Sequence, residues 1–250
     1  MPNSRIKIVS LITASVVLSL VIAAYVYIAV FPDCLFPYVS THATVLVRSA
    51  EPIAQRLPSV LDGARTLLMQ STLYDPALSY RLYFCESFPR YALFTLVRFS
   101  SFAITFPRVN RIYVAKTDIF RDSCFANKTR NNQRALHTVL AHEMTHCLLS
   151  EKFGLWRTTI ALKWKTEGYC EFIAGESSFN PQVGIQLIKQ GKSDRSVSFS
   201  YFKSRLYVTY LMTREHRSIE DIMGTSFNMK SLDAKVRAAA DSLLANTTGK

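Results

Sequence analysis

A long stretch without charge near the start of the chain limits its fold more than any other feature. Residues 8–32 contain no charged side chain and are mostly Val, Ile, Leu and Ala. A helix rises about 1.5 Å per residue, so this stretch is long enough to cross a hydrocarbon core of roughly 30 Å. We predict one transmembrane anchor at residues 8–32, after a short N-terminal segment of residues 1–7.

The residues around this stretch indicate an uncleaved anchor and its orientation. The stretch is about twice as long as the apolar region of a typical signal peptide, and no clean small-x-small cleavage site follows Ala24. Arg5 and Lys7 precede it, whereas only Asp33 lies just after it. Because basic residues favour the cytoplasmic side, we expect a cytoplasmic N-terminus and residues 33–250 on the extracytoplasmic side, periplasmic or extracellular.

The net charge of residues 33–250 indicates which kinds of partner they favour. Of the 30 basic residues two precede the anchor, which leaves 28 against 18 acidic ones and a net charge of about +10. Such a surface favours anionic partners, including the lipid headgroups beside the anchor. The sequence contains neither an aromatic-interleaved basic platform nor a nucleic-acid-binding motif, so we expect no nucleic acid partner. It indicates no oligomeric state.

Periodicity after the anchor predicts an α+β fold in a single domain, residues 33–250. No internal repeat or low-complexity tract interrupts it. The predicted strands, rich in β-branched and aromatic residues, cover residues 43–47, 80–85, 100–106 and 111–115. The predicted helices, with apolar residues at helical spacing, cover residues 52–69, 131–151, 165–174, 201–214 and 232–244. Because strands come first and most helices afterwards, we expect a small mixed sheet followed by a helical part.

The helix predicted at residues 131–151 carries the sequence His142-Glu143-Met144-Thr145-His146, an H-E-x-x-H motif. A spacing of four brings both imidazoles onto one face, one turn apart, where they can share a cation. The carboxylate of Glu143 then projects beside the metal, where it can take a proton from bound water. The alternative is an amphipathic helix with half-buried, hydrogen-bonded histidines.

A catalytic zinc also needs a third protein ligand and an open position for water. Lys152 stands where the third histidine of the extended motif would lie, so that variant is excluded. Asp194 and His216 could bind a metal chemically, but neither lies in a supporting pattern. The next predicted helix offers two further carboxylates, Glu167 and Glu171.

The motifs on these two helices together resemble a known class of zinc enzymes. H-E-x-x-H is followed about twenty residues later by residues 164–168 (WKTEG), a W-x-x-E-G sequence. This combination is similar to the gluzincin clan of metallopeptidases, in particular its aminopeptidase-like and peptidase MA-like members. The resemblance implies a zincin-like domain with zinc bound by His142, His146 and Glu167, and with Glu143 as general base. The separation of the two motifs is slightly longer than in the best-known members.

The same resemblance implies further parts of such a site. In related families an acidic residue four positions after the third ligand orients a zinc-bound histidine, a role that falls to Glu171 here. A solvent-facing glutamate is the alternative. An oxyanion donor is expected from Tyr207, Tyr210 or His216, none of which a motif singles out. An edge strand along which an extended peptide lies is expected at residues 100–106.

The five cysteines are too few for a disulfide scaffold and include no C-x-x-C pair that would indicate a structural metal site. An extracytoplasmic location permits one or two disulfides. Cys147 and Cys170 lie on the two helices that the resemblance brings to one metal, so they form a candidate pair. Two small buried side chains are the alternative.

These features predict a membrane-anchored peptidase that hydrolyses peptide bonds by zinc-activated water. The expected location suggests envelope or secreted polypeptides as substrates. No G-x-M-E-N motif lies upstream of the H-E-x-x-H helix, which favours an endopeptidase over an aminopeptidase. The alternative is a catalytically inactive zincin-fold interaction module that docks anionic envelope partners. Glu143 argues against that alternative, because binding alone requires no base.

Overall fold

The computed structural model describes residues 3–95 and 100–248. It begins with helix α1 (Asn3–Val30), whose span Val9–Val30 has a mean hydropathy of 2.4. By length and composition α1 is able to cross a membrane, in agreement with the prediction. The chain then makes a 3₁₀ turn at Pro32–Leu35 and enters the first sheet.

A five-stranded sheet forms the first half of the described domain. Along the chain its strands and the intervening helices are β1 (Tyr38–His42), β2 (Val45–Ser49), α2 (Leu57–Leu68), β3 (Tyr80–Phe84), α3 (Phe88–Thr95), β4 (Ala103–Phe106) and β5 (Arg111–Val114). In space the order is β1-β2-β3-β5-β4, with the three central strands parallel and both outer strands antiparallel. The predicted small mixed sheet is therefore confirmed. The sequence does not predict β1, because this strand is polar and largely exposed.

Both faces of the central strands are buried. In β3, Leu82 belongs to the core formed with α2 and the later helices, whereas Tyr83 belongs to a second core on the opposite face. β5 repeats this alternation with Ile112 and Tyr113. Because both faces are covered, these strands are apolar nearly throughout, which is typical of parallel strands.

A second, antiparallel sheet leads into the helical half. It contains β6 (Lys116–Asp118), β7 (Ser123–Phe125) and β8 (Gln133–Ala135). Helix α4 (Leu136–Phe153) follows directly. The sequence predicts this helix from residue 131, but β8 pairs with β7 instead, and the Asp122 carboxylate fixes the helix start by accepting from the backbone N–H of His137 at 3.0 Å. At its other end, Gly154 stops the helix with a φ of +80°.

The helical half continues with α5 (Leu155–Ile160), α6 (Lys163–Ala174), α7 (Pro181–Lys189), α8 (Val197–Thr213), α9 (Ile219–Gly224) and α10 (Met229–Thr248). α6 packs against both α4 and α8. Its contact with α8 requires Gly168, because a Cβ added there would lie 2.5 Å from the backbone oxygen of Ser204 and 2.8 Å from Cγ2 of Val208. The glycine of W-x-x-E-G is thus explained by helix packing, which sets how close the neighbouring Glu167 comes to α4 and α8.

Candidate metal centre

Helix α4 presents its two motif histidines to one cavity. The ring centroids of His142 and His146 lie 5.1 Å apart with planes at 72°. His142 is buried and His146 is partly exposed. The four-residue spacing therefore places both imidazoles on one face of α4, and this face is directed at α6.

Glu167 on α6 faces both histidines. Its Oε2 lies 3.3 Å from Nε2 of His142 and 3.6 Å from Nε2 of His146. Burial raises the pKa of this carboxyl, but the two imidazoles outweigh burial and hold the pKa well below its usual range. An ionised carboxylate and two ring nitrogens therefore converge on one point.

Cys170, one turn after Glu167, adds a fourth donor to the same region. The ligating atoms of His142, His146 and Cys170 all lie within 4.8 Å of one another, and this cluster could hold a metal ion. Helix α6 thus offers a carboxylate and a thiol to one pair of histidines. The candidate disulfide between Cys147 and Cys170 is absent, since all five cysteines lie in the described part of the chain and all are free thiols.

Glu171 and Arg134 support His142 from behind. Oε1 of Glu171 lies 3.1 Å from Nδ1 of His142, an ion-pair distance without the alignment of a hydrogen bond, and accepts from Nη1 of Arg134 at 2.8 Å. Burial raises the pKa of Glu171, but Arg134 and His142 lower it to about 2, so the carboxylate is charged. Arg134 also donates to the Glu176 carbonyl at 2.9 Å. Sequence reasoning missed Arg134, because it lies on β8 and only the fold brings it to α6.

The side chain of Glu143 contacts strand β4 of the five-stranded sheet. Its Oε2 accepts from the hydroxyl of Thr105 on β4 at 2.5 Å, and the same hydroxyl lies 3.1 Å from the Glu143 carbonyl oxygen. Among the described residues, no Lys or Arg lies within ion-pair distance of Glu143 or Glu167. Glu167 has the imidazoles of His142 and His146 within ion-pair distance, whereas the basic side chains that line the cavity lie beyond that distance from both carboxylates.

Strand β4 forms one wall of the cavity as the outermost strand of its sheet. Ala103–Phe106 pairs with β5 on one side, and in the described part of the chain no strand pairs with its other side. The sequence predicts an edge strand at residues 100–106, and this segment does lie at the edge, directly beside Glu143. The free edge leaves backbone groups available for a further strand.

The cavity has a volume of about 1060 Å³, and Tyr201, which stands in no motif, is one of its lining residues. The ring of Tyr201 on α8 is stacked on His142, with centroids 6.2 Å apart and planes at 20°. Burial, followed by the charges of Glu167 and Glu143, raises the pKa of Tyr201, so its hydroxyl keeps its proton. It is therefore a neutral donor beside His142.

The other sequence candidates do not reach the histidines. Neither Tyr207 nor Tyr210 lines the cavity, and the hydroxyl of Tyr207 donates to Asp233 instead. His216 lies outside the cavity as well, and Asp194 lies at its rim without an ion pair to either motif histidine among the described residues. We therefore replace Tyr207 and Tyr210 by Tyr201 as the oxyanion-donor candidate.

One signal could have found Tyr201. Tyr201, Ser204 and Val208 share one face of α8 at helical spacing, and this is the face that meets Gly168. Gly168 directly follows Glu167, so the residue one turn before Ser204 on α8 lies beside Glu167. That step requires the contact between α6 and α8, which no motif in the sequence encodes.

Comparisons with known proteins add no relative to this picture. No family model matches the chain, and none of the curated proteins matches it. The resemblance to gluzincins is thus carried by two short motifs alone. What the fold and the cavity define is an α+β protein with an N-terminal apolar helix and a buried cluster that could hold a metal ion.

Proposed function

We propose that the chain is a membrane-anchored zinc peptidase of the gluzincin kind. The observation that carries this proposal is the convergence of two Nε2 atoms on Oε2 of Glu167, at 3.3 and 3.6 Å. In a tetrahedral zinc site with bonds of about 2.0–2.1 Å, ligand atoms are separated by about 3.3–3.4 Å. Both distances from Glu167 to the imidazoles are thus close to the ligand separation of such a site.

The chemistry of this donor set also fits zinc. Two imidazoles and one carboxylate leave a fourth position open, as in catalytic zinc sites. A divalent cation would offset the charge of the Glu167 carboxylate, which has no Lys or Arg within ion-pair distance among the described residues. Zinc also accepts thiolate, so Cys170 is the competing third ligand. Glu167 is preferred because one oxygen faces both histidine Nε2 atoms.

Each surrounding residue then has a defined task. Zinc, when bound, supplies a Lewis acid that polarises the scissile carbonyl and acidifies water. Glu143 takes the proton from the attacking water and later passes it to the leaving amine, and Thr105 holds the carboxylate in place. The Tyr201 hydroxyl donates to the oxygen that gains charge in the tetrahedral intermediate. Glu171 fixes the ring of His142.

The position of β4 supports a polypeptide substrate. A peptide in extended conformation can add to the free edge of β4 through main-chain hydrogen bonds, which require no particular side chains. Thr105 on that strand contacts Glu143, so the added peptide would run past the catalytic base. Cleavage within a chain is the natural outcome for a substrate held along its backbone.

The location of the domain follows from its anchor. We propose that α1 crosses the membrane once, with Arg5 and Lys7 on the cytoplasmic side and residues 33–250 outside it. Substrates are then polypeptides of the envelope or secreted chains.

The proposal is tested by peptide hydrolysis with the zinc-loaded full chain in detergent. We expect Glu143→Gln to keep its zinc and to lower kcat about 10²–10⁴-fold, because general-base catalysis is lost. Glu151→Gln is the matched control, since Glu151 lies on the same helix and is exposed. If no peptide is cleaved although zinc is bound, the catalytically inactive interaction module that docks anionic envelope partners becomes the better description.

A further inference from the structure

One end of the cavity carries positive charge. Lys128 and Arg130 line it from the loop between β7 and β8, beside the start of β4. A hydrogen bond from the Ala126 N–H to the Asn132 carbonyl, at 2.9 Å, closes this loop. Nζ of Lys128 lies 4.6 Å from the centroid of the Phe102 ring. The ammonium is therefore held over the residue that precedes β4.

The charge of Lys128 has no carboxylate partner among the described residues. Burial, followed by the charge of Arg134, lowers the pKa of Lys128, and the charge of Glu171 raises it by less. Arg130 differs, because it is exposed and its charge acts on Asp194. A partly desolvated ammonium that faces a cavity is stabilised by an anionic ligand group.

Lys128 lies beside the residue that precedes β4, and this position determines which substrate residue would carry the anionic group. Thr105, which contacts Glu143, and Phe102 are three residues apart, about 10 Å at the roughly 3.3 Å rise of a strand. A peptide paired with β4 would therefore bring its second or third residue from the scissile bond to Lys128.

We propose that Lys128 forms a subsite for a substrate carboxylate, two or three residues from the scissile bond. This inference rests on the proposed peptidase function and names its substrate class. The carboxylate can come from an Asp or Glu side chain within the chain or from the carboxyl terminus. In the first case the protein is an endopeptidase with a preference for acidic segments, and in the second it trims chain ends.

Lys163 provides a control within the same cavity. It also lines the cavity, and its Nζ lies 5.3 Å from the centroid of the Tyr201 ring, on the helical side of the site. Replacing Lys163 by Met changes the net charge of the cavity as much as Lys128→Met does. Met keeps an apolar stem in both cases, so the two variants differ in the place where the charge is lost.

The experiment compares matched peptides with the zinc-loaded full chain. Each pair carries Glu or Gln at one of three positions on either side of the scissile bond, with an amidated carboxyl terminus. We expect kcat/KM to be about tenfold higher for Glu at one position, two or three residues from the cleaved bond. Lys128→Met should abolish this ratio, Lys128→Arg should keep it, and Lys163→Met should leave it within about twofold. Shortened peptides, with a free or amidated terminus at that distance, identify the source of the carboxylate.

A binding measurement separates the subsite from the catalytic proposal. The same peptides, labelled for fluorescence anisotropy, are bound to zinc-loaded Glu143→Gln with and without Lys128→Met. Tighter binding of Glu peptides that Lys128→Met removes supports the subsite even if no peptide is cleaved. Cleavage without a Glu preference, or a preference that Lys128→Met leaves unchanged or that Lys163→Met abolishes equally, overturns the subsite and leaves the peptidase intact.

Discussion

The two faces of the five-stranded sheet differ in the kind of interaction they bury. On the face toward α4, Leu82 and Ile112 pack on helices, and Thr105 contacts the carboxylate of Glu143. On the opposite face the core is built mainly from aromatic rings, and the rings of Phe94 and Tyr113 are stacked with centroids 4.6 Å apart. The first face buries the polar groups of the candidate metal centre, and the second buries mainly aromatic rings.

The aromatic face is also where the apolar helix joins the domain. The hydroxyl of Tyr25 donates to the Leu93 carbonyl at 3.0 Å, and Nη1 of Arg111 donates to the Ala29 carbonyl at 3.2 Å. The apolar helix and the candidate metal centre thus lie on opposite faces of the five-stranded sheet. We therefore expect substitutions on the aromatic face to alter stability, and substitutions on the face toward α4 to alter metal binding and turnover.

The largest effect is expected on the aromatic face. Phe36 is fully buried and contacts the rings of Tyr83 and Phe94 at 5.1 and 5.4 Å between centroids. We expect Phe36→Ala to lower the free energy of unfolding by about 3–5 kcal/mol, because a large cavity is left. Urea denaturation followed by tryptophan fluorescence measures it, with the exposed Val39→Ala as control. A loss of zinc or of kcat in the folded fraction would break the separation of the two faces.

At the candidate metal centre the largest effect should come from Tyr201. We expect Tyr201→Phe to reduce kcat about 10²–10³-fold without loss of zinc, because one oxyanion donor is removed. Tyr207→Phe is the matched control on the same helix, and it should leave kcat within about twofold, since its hydroxyl is engaged with Asp233. Equal effects of the two substitutions would show that neither tyrosine donates to the substrate.

A smaller effect is expected from the group behind His142. We expect Glu171→Gln to weaken zinc binding about 10–100-fold, because the ring loses the charged partner of its Nδ1. Competition with a fluorescent zinc chelator measures this affinity. Glu176→Gln removes another acid beside Arg134 that does not touch His142, and it should change the zinc affinity by less than about threefold. A similar loss in both variants would indicate a general charge effect.

The smallest effect is expected on the acid dependence of stability, from a carboxylate outside the candidate metal centre. Burial raises the pKa of Asp233, but hydrogen bonds from Tyr207 and Lys203 lower it below its ordinary value of 3.8. A depressed pKa stabilises the fold above about pH 3.8, and this contribution is lost as the pH falls below that value. Because the carboxylate is partly exposed, we expect less than about 1 kcal/mol. Urea denaturation at pH 7 and pH 3 should show a smaller acid-induced loss in Asp233→Asn than in the unaltered protein.

Much of the fold could be predicted because it rests on local patterns. The apolar helix follows from a long uncharged run, the central strands from β-branched and aromatic residues, and α4 from helical spacing of its apolar residues. Gly154 and Gly175 end their helices with positive φ angles. The strands β6, β7 and β8 could not be predicted, since three-residue strands carry no periodicity. Because β8 is not predicted, the sequence predicts the start of α4 at residue 131, five residues before Leu136.

The candidate site divides in the same way. His142 and His146 stand in one motif with fixed spacing, and the resemblance to gluzincins adds Glu167 to them. Arg134 and Tyr201 reach the site only through contacts between distant elements, β8 with α6 and α8 with α6. The sequence favours Tyr207 equally, because position along the chain does not show which face of α8 meets α6.

The central claim is that Glu167 completes a zinc site with the two histidines of α4. The most direct test is the zinc content of the full chain, measured by mass spectrometry, beside Glu167→Gln and Cys170→Ala. We predict one zinc per chain in the unaltered protein and in Cys170→Ala, and its loss in Glu167→Gln. Zinc that persists in Glu167→Gln and disappears in Cys170→Ala, or an unaltered protein that takes up no zinc at all, would contradict the claim.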